Sequence, residues 1–164
     1  MEREAALLAN HIKRTVTGPM WHGSALAEVL AGVTHVEAAA HPLPTAYSIW
    51  ELVAHVTAWA EISNARLKGE RIADPTAAED WPPVPPADEA AWQAAVERLQ
   101  TSHRELARAV RHLDPATFEH KVPGLEYTVS NLLHGVIEHG TYHGGQIALL
   151  KKALKEALSG AASA

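Results

Sequence analysis

The stretch "HGTYHGGQI", residues 139–147, places His139 and His143 four residues apart. On a helix, residues at i and i+4 stand one turn apart on the same face. Two imidazoles so placed can share one divalent metal ion, the geometry that an H-E-x-x-H helix uses. Leu132, Val136, His139, His143, Gln146 and Leu150 step by four and three, so both histidines lie on an apolar seam. A lone histidine on such a seam is most often a core residue held by hydrogen bonds. Three polar groups in one buried stripe are expensive unless something pairs them.

A metal site needs a third ligand. His55 shares a face with Leu52, Trp59 and Ile62. His103 falls on a seam of Trp92, Val96, Leu99, Leu106, Val110 and Leu113. Spacing alone leaves both open. His22, His41, His112 and His120 fall in loops or near helix ends and read as surface, and His134 lies off the His139 seam.

The elements that must position these residues read as helices. Strand signals are scarce, and alanine and leucine dominate the periodic segments. The first helix runs from about Glu2 to Val16, with Leu8, Ile12 and Val16 on one face; a short piece follows, capped by Ser24. "GVTHVEAAAHPLP" reads as a helical turn and then a loop. The second main helix opens on Ser48 and Glu51, an S-x-x-E capping box, and extends to about Lys68, where Gly69 can end it. Residues 70–86 hold five of the chain's 10 prolines and read as non-helical, a long connection of the kind that is either a functional lid or a linker. The third helix spans about Asp88 to Leu113, "PATFEHKVPGLEY" is a loop, and the fourth helix spans about Thr128 to Leu158. The expectation is an all-α four-helix bundle. It forms one domain over residues 1–158, with a disordered tail at 159–164.

Composition removes several functions. The chain has 164 residues and no cysteine, which excludes disulfides, zinc-thiolate sites and a thiol nucleophile of its own. A net charge of −5 argues against nucleic acid as a partner. No apolar run approaches the roughly 20 residues that span a membrane. "MEREAALLANHIKR" lacks a signal-peptide core, so the expected location is cytoplasmic. There is no E-x-x-H, no G-x-S-x-G and no phosphate-binding glycine loop.

Two stretches, "YSIWELVAHVTAW" and "NLLHGVIEHGTYHGGQIALLKKA", resemble the DinB-like superfamily of metal-dependent helical bundles. "EDWPPVPPADEAAWQ" and "VPGLEYTV" also look like pieces of its members, and the resemblance runs from about Leu8 to Lys152. The family takes one histidine from the second helix and an H-x-x-x-H pair from the fourth, followed by a Y-H-x-G-Q-I ending. That pattern implies His55, His139 and His143 as ligands, not His103. It also implies a bundle with a long crossover between the second and third helices, often dimeric.

Three neutral imidazoles leave a divalent ion with open positions, and zinc and nickel both suit them. Gln146, Glu138, Trp59 and His103 are candidates for the groups around the ligands, with Glu138 pointing off the seam and Trp59 packing or walling a pocket. Some relatives resemble transferases or isomerases that use a low-molecular-weight thiol. The expected function is therefore activation of such a thiol toward a small-molecule substrate. The alternatives are a hydrolase in which the metal activates water, and a non-catalytic metal-binding bundle. Gly140, Gly144 and Gly145 each cost about 1 kcal/mol relative to alanine inside a helix. They are expected to make room for a dimer partner or for the metal's open side.

Overall fold

The computed structural model describes residues 2–72 and 74–161. Among them there is no strand, only two isolated bridges, Met20 with Gly23 and Lys121 with Thr128. The helices are α1 (Glu2–Thr17), α2 (Leu26–Leu30), α3 (His35–Ala39), α4 (Ile49–Leu67), α5 (Ala77–Asp80), α6 (Glu89–Arg111) and α7 (Val129–Ala161), with a 3-10 turn at Pro115–Glu119. None is long and apolar enough to cross a membrane.

Local chemistry explains most of these boundaries. Ser48 Oγ accepts from the Glu51 amide at 3.2 Å, and the Glu51 carboxylate accepts from the Ser48 amide at 2.7 Å. Two donors that helix geometry leaves unpaired are thereby satisfied. Gly69, just past α4, has a φ of 92°, the left-handed conformation that suits glycine. Asp88 caps α6 through the Ala91 amide.

Four boundaries differ from the sequence reading. Ser24 does not cap α2; Ala25 holds that place, and its amide donates to Glu28 at 2.8 Å. The 70–86 segment contains α5, a single turn set by Thr76 and Glu79, which form their own capping box. Prolines 75, 82 and 83 bracket that turn and leave its interior free. The loop after α6 contains the 3-10 turn, where Asp114 caps the Ala116 amide and Phe118 is buried. α7 continues to Ala161, three residues into the expected tail, and residues 162–164 lie outside the described residues.

The four long helices pack α1 on α6 and α7, and α4 on α6 and α7. Trp50 and Trp92, near the starts of α4 and α6, lie 5.3 Å apart, and Glu61 pairs with Arg98 further along. The two helices therefore run in the same direction. The connection between them must travel back along α4, whose 19 residues span roughly 28 Å. The core has two clusters. One joins Leu8, Ile12, Leu106, Val110, Phe118 and Leu133; the other joins Val16, Leu30, Trp50, Val53, Trp92 and Ile147. On α7, His139 and His143 fall between the residues of the first cluster and those of the second, and on α4 His55 stands among residues of the second.

Two glycines of α7 face the first two helices. A Cβ at Gly140 would lie 2.6 Å from Thr15 Cγ2 of α1. Thr15 is buried, and its hydroxyl is bonded to the His11 carbonyl one turn back, so it cannot readily turn away. A Cβ at Gly144 would meet Leu26 of α2 at an ordinary 3.5 Å, and one at Gly145 would meet nothing. Gly140 thus seats α1, and Gly144 faces α2 with room for a methyl group.

Gly140→Ala should destabilise the fold by about 1–3 kcal/mol despite its better helix propensity. Gly145→Ala should stabilise it by about 0.5–1 kcal/mol. Urea unfolding of both variants checks the pair, and equal effects would contradict this packing.

Candidate metal centre

α4 contributes His55 and α7 contributes His139 and His143. Their ring nitrogens form a group whose candidate ligand atoms all lie within 4.8 Å of one another. The rings meet edge to face, with centroids 4.7 Å apart for His55 and His139, 4.8 Å for His55 and His143, and 4.4 Å for His139 and His143. His55 and His143 are buried, and His139 is half-buried.

The neighbours fix which nitrogen carries the proton. His55 Nδ1 lies 2.6 Å from the Asp80 carbonyl, which can only accept. Nδ1 therefore carries the proton and donates it, leaving the Nε2 lone pair free. His143 Nδ1 lies 2.6 Å from Gln146 Oε1, and the same amide donates through Nε2 to the Tyr142 hydroxyl at 3.2 Å. His143 is fixed in the same tautomer. Metal-ligating histidines characteristically donate their other N–H in this way. His55 Nε2 and His139 Nε2 stand 2.9 Å apart. Two lone pairs at that distance repel, so the contact needs a proton or a cation between them. The donor set fits a divalent metal: three imidazoles, two with lone pairs prepared by hydrogen bonds at their far nitrogens.

The segment between α4 and α6 closes over this group. The turn of α5 delivers Asp80, whose carboxylate lies 3.4 Å from His55 Nδ1 and accepts from Trp59 Nε1 at 2.7 Å. Trp81 stacks on His55 at 3.8 Å between centroids, and Tyr47 stacks on Trp81 at 3.5 Å. Asp80, Trp81, Tyr47 and Tyr142 escaped the sequence reading, because none sits on a histidine seam. Thr76-x-x-Glu79, a capping-box pattern, was the available signal for the turn that positions Asp80.

The other expected neighbours separate. Gln146 holds His143, and Trp59 packs 5.9 Å from His139. Glu138 is exposed. His103 is buried elsewhere in the core; its Nδ1 donates to the Leu99 carbonyl at 2.9 Å, and its Nε2 has no hydrogen-bond partner. His22, His41, His112, His120 and His134 are exposed, as their positions suggested.

Burial, with repulsion among neighbouring rings at the cluster, lowers the pKa values of His139, His143 and His103. Burial lowers the His139 pKa to about 3, helped by the charges that His143, His55 and His103 would carry. Burial also lowers His143, against the Gln146 hydrogen bond, and takes His103 down to about 4. An unfolded chain protonates these residues near pH 6.5. Below that pH the unfolded state binds more protons than the folded one, so stability falls as pH falls. For His103 the loss runs from about 6.5 to about 4, at up to about 1.4 kcal/mol per pH unit. His103→Leu should make the acid limb of a stability-against-pH curve shallower by about one proton over that window. Denaturant titrations between pH 4 and 7 in the presence of a chelator read this directly, and an unchanged slope would mean that His103 is not held neutral.

A profile of the DinB superfamily matches residues 21–147. No curated protein and no solved structure matches the chain. The matched span runs from the turn before α2 through Ile147, and so includes all three clustered histidines. The chain belongs to the DinB superfamily.

Proposed function

We propose that the chain is a metal-dependent enzyme that holds one divalent ion, zinc or nickel, on His55, His139 and His143 and activates a small-molecule thiol for transfer or isomerisation. The observation that carries the reading is the convergence of three ring nitrogens, two of them in the tautomer a metal requires. Its scaffold is read as a four-helix bundle of α1, α4, α6 and α7, with the 68–88 connection as its crossover.

A divalent ion there supplies a concentrated positive charge that lowers the pKa of a thiol or water it takes up. The residues of the chain do the remainder. Asp80 and Gln146 hold the His55 and His143 rings in orientation. Trp81 and Tyr47 cover His55 and keep water from its face. Two cavities reach the cluster separately, one of about 370 Å³ lined by His139 and one of about 470 Å³ lined by His143. Separate approaches suit a reaction between two molecules. Hydrolysis would call for a general base facing the cluster. The Asp80 carboxylate stands at the outer nitrogen of His55, already bonded to Trp59, and Glu138 is exposed. A thiol, whose ordinary pKa of about 8.5 lies far below that of water, loses its proton to solvent with less help from the ion, which favours a thiol over water. With no cysteine in the chain, the thiol is a borrowed one.

Protein purified without a nickel column should carry about one zinc or nickel ion per chain. His55→Ala or His139→Ala should remove it with helical circular dichroism retained, and Gln146→Ala should weaken metal affinity by about 10- to 100-fold. Elemental analysis and competition with a chromogenic chelator measure this. Chelator-treated protein that takes up neither metal would overturn the proposal. Turnover of electrophiles that is independent of added thiol would assign water in its place.

A further inference from the structure

The cavity at His139 has a chemistry of its own. Trp59, Tyr127, Leu132, Gly135 and Val136 line it, together with the amide of Asn131 and the imidazole of His139. Apart from the His139 ring, none of these side chains is an ionised group at neutral pH. The Arg66 guanidinium, against this wall, is buried and turned to other partners. It donates to the Tyr127 hydroxyl at 2.9 Å and to the Ile72 carbonyl at 2.8 Å, and lies 5.4 Å from the Trp59 ring centre. That bond uses an acceptor site of the Tyr127 hydroxyl and leaves its O–H to donate. What the cavity offers a ligand is mostly apolar surface, with uncharged polar groups on Asn131 and Tyr127 and the His139 ring, which belongs to the histidine cluster.

We infer that the cavity formed by Trp59, Leu132, Gly135 and Val136 binds the uncharged apolar body of the substrate, with the substrate's metal-binding head at His139. This rests on the metal reading above and adds the substrate class: a small amphiphile, not a di-acid or a sugar. Burying an apolar body here requires no compensating charge, whereas a second carboxylate would lose water and meet no free cation in the lining. Gly135 sets the room available. It is exposed on α7, and a side chain there begins in space with no atom within 4 Å.

The test uses zinc-loaded full-length protein and a series of straight-chain hydroxamates, from aceto- through butano- to hexanohydroxamate, titrated by calorimetry. Affinity should rise about three- to fourfold for each added methylene. In Gly135→Trp the rise with chain length should flatten. Gly135→Leu, a smaller insertion with good helix propensity, should flatten it in part and guards against misfolding of the larger variant. Gly145→Trp, on the far side of α7 from the cluster, should leave the series unchanged. Hydroxamates that bind equally well at every length, or a rise that survives Gly135→Trp, would overturn this inference alone. Failure of acetohydroxamate to bind the zinc-treated protein any better than the metal-free protein would overturn the metal reading, and this inference with it.

Discussion

The hydrogen bond from His55 Nδ1 to the Asp80 carbonyl joins the two halves of the molecule's chemistry. Asp80 sits in the connection between α4 and α6, and His55 sits in the middle of α4. The bond fastens a proline-rich segment to the helices and, in the same act, turns the lone pair of His55 Nε2 toward His139 and His143. Without it the imidazole has two tautomers of similar energy, and only one can ligate. The nearby Asp80 carboxylate adds negative charge on the side where an imidazole bound to a cation would need it. It also takes the Trp59 indole N–H, so the same residue fixes a wall of the cavity at His139.

Helix direction explains why such a connection exists. α4 and α6 run the same way, as the Trp50–Trp92 and Glu61–Arg98 contacts require. A short turn cannot join parallel neighbours, because the chain must first return to the starting end. The return passes over the middle of α4, where His55 lies. A long segment that topology demands is thus available to seat Asp80 and Trp81 on the histidine. Its prolines favour extended backbone on either side of α5, and one capping box is enough to form a turn between them.

The long helices and three of the site residues were legible because they are periodic. Apolar steps of four and three place His55, His139 and His143 on inward faces, and the structure brings those faces together. What periodicity could not supply is everything held by a single contact. Asp80 acts through its backbone carbonyl, which every residue has, so no side-chain pattern announces it. Trp81 acts by stacking, and Tyr142 by a bond to Gln146 from an exposed position. The role of Gly140 was not legible for a related reason. Small size beside a ligand and small size beside a packed helix look identical in a sequence, and only the Thr15 contact decides between them at Gly140.

His103 shows where seam counting stops. It occupies an inward position on α6 as regular as that of His139 on α7, and by spacing alone it competes with His55. The difference lies in what each ring meets. His55 donates away from the cluster to a carbonyl on another segment, which aims its free nitrogen at α7. His103 donates back to Leu99 on its own helix, and its free nitrogen ends in the core without a partner. A buried acceptor left this way costs on the order of 1–3 kcal/mol. His103 nonetheless acts on the site at a distance, since its charge, if it had one, would further depress His139. Keeping His103 neutral therefore keeps one more positive charge away from a cluster suited to a cation.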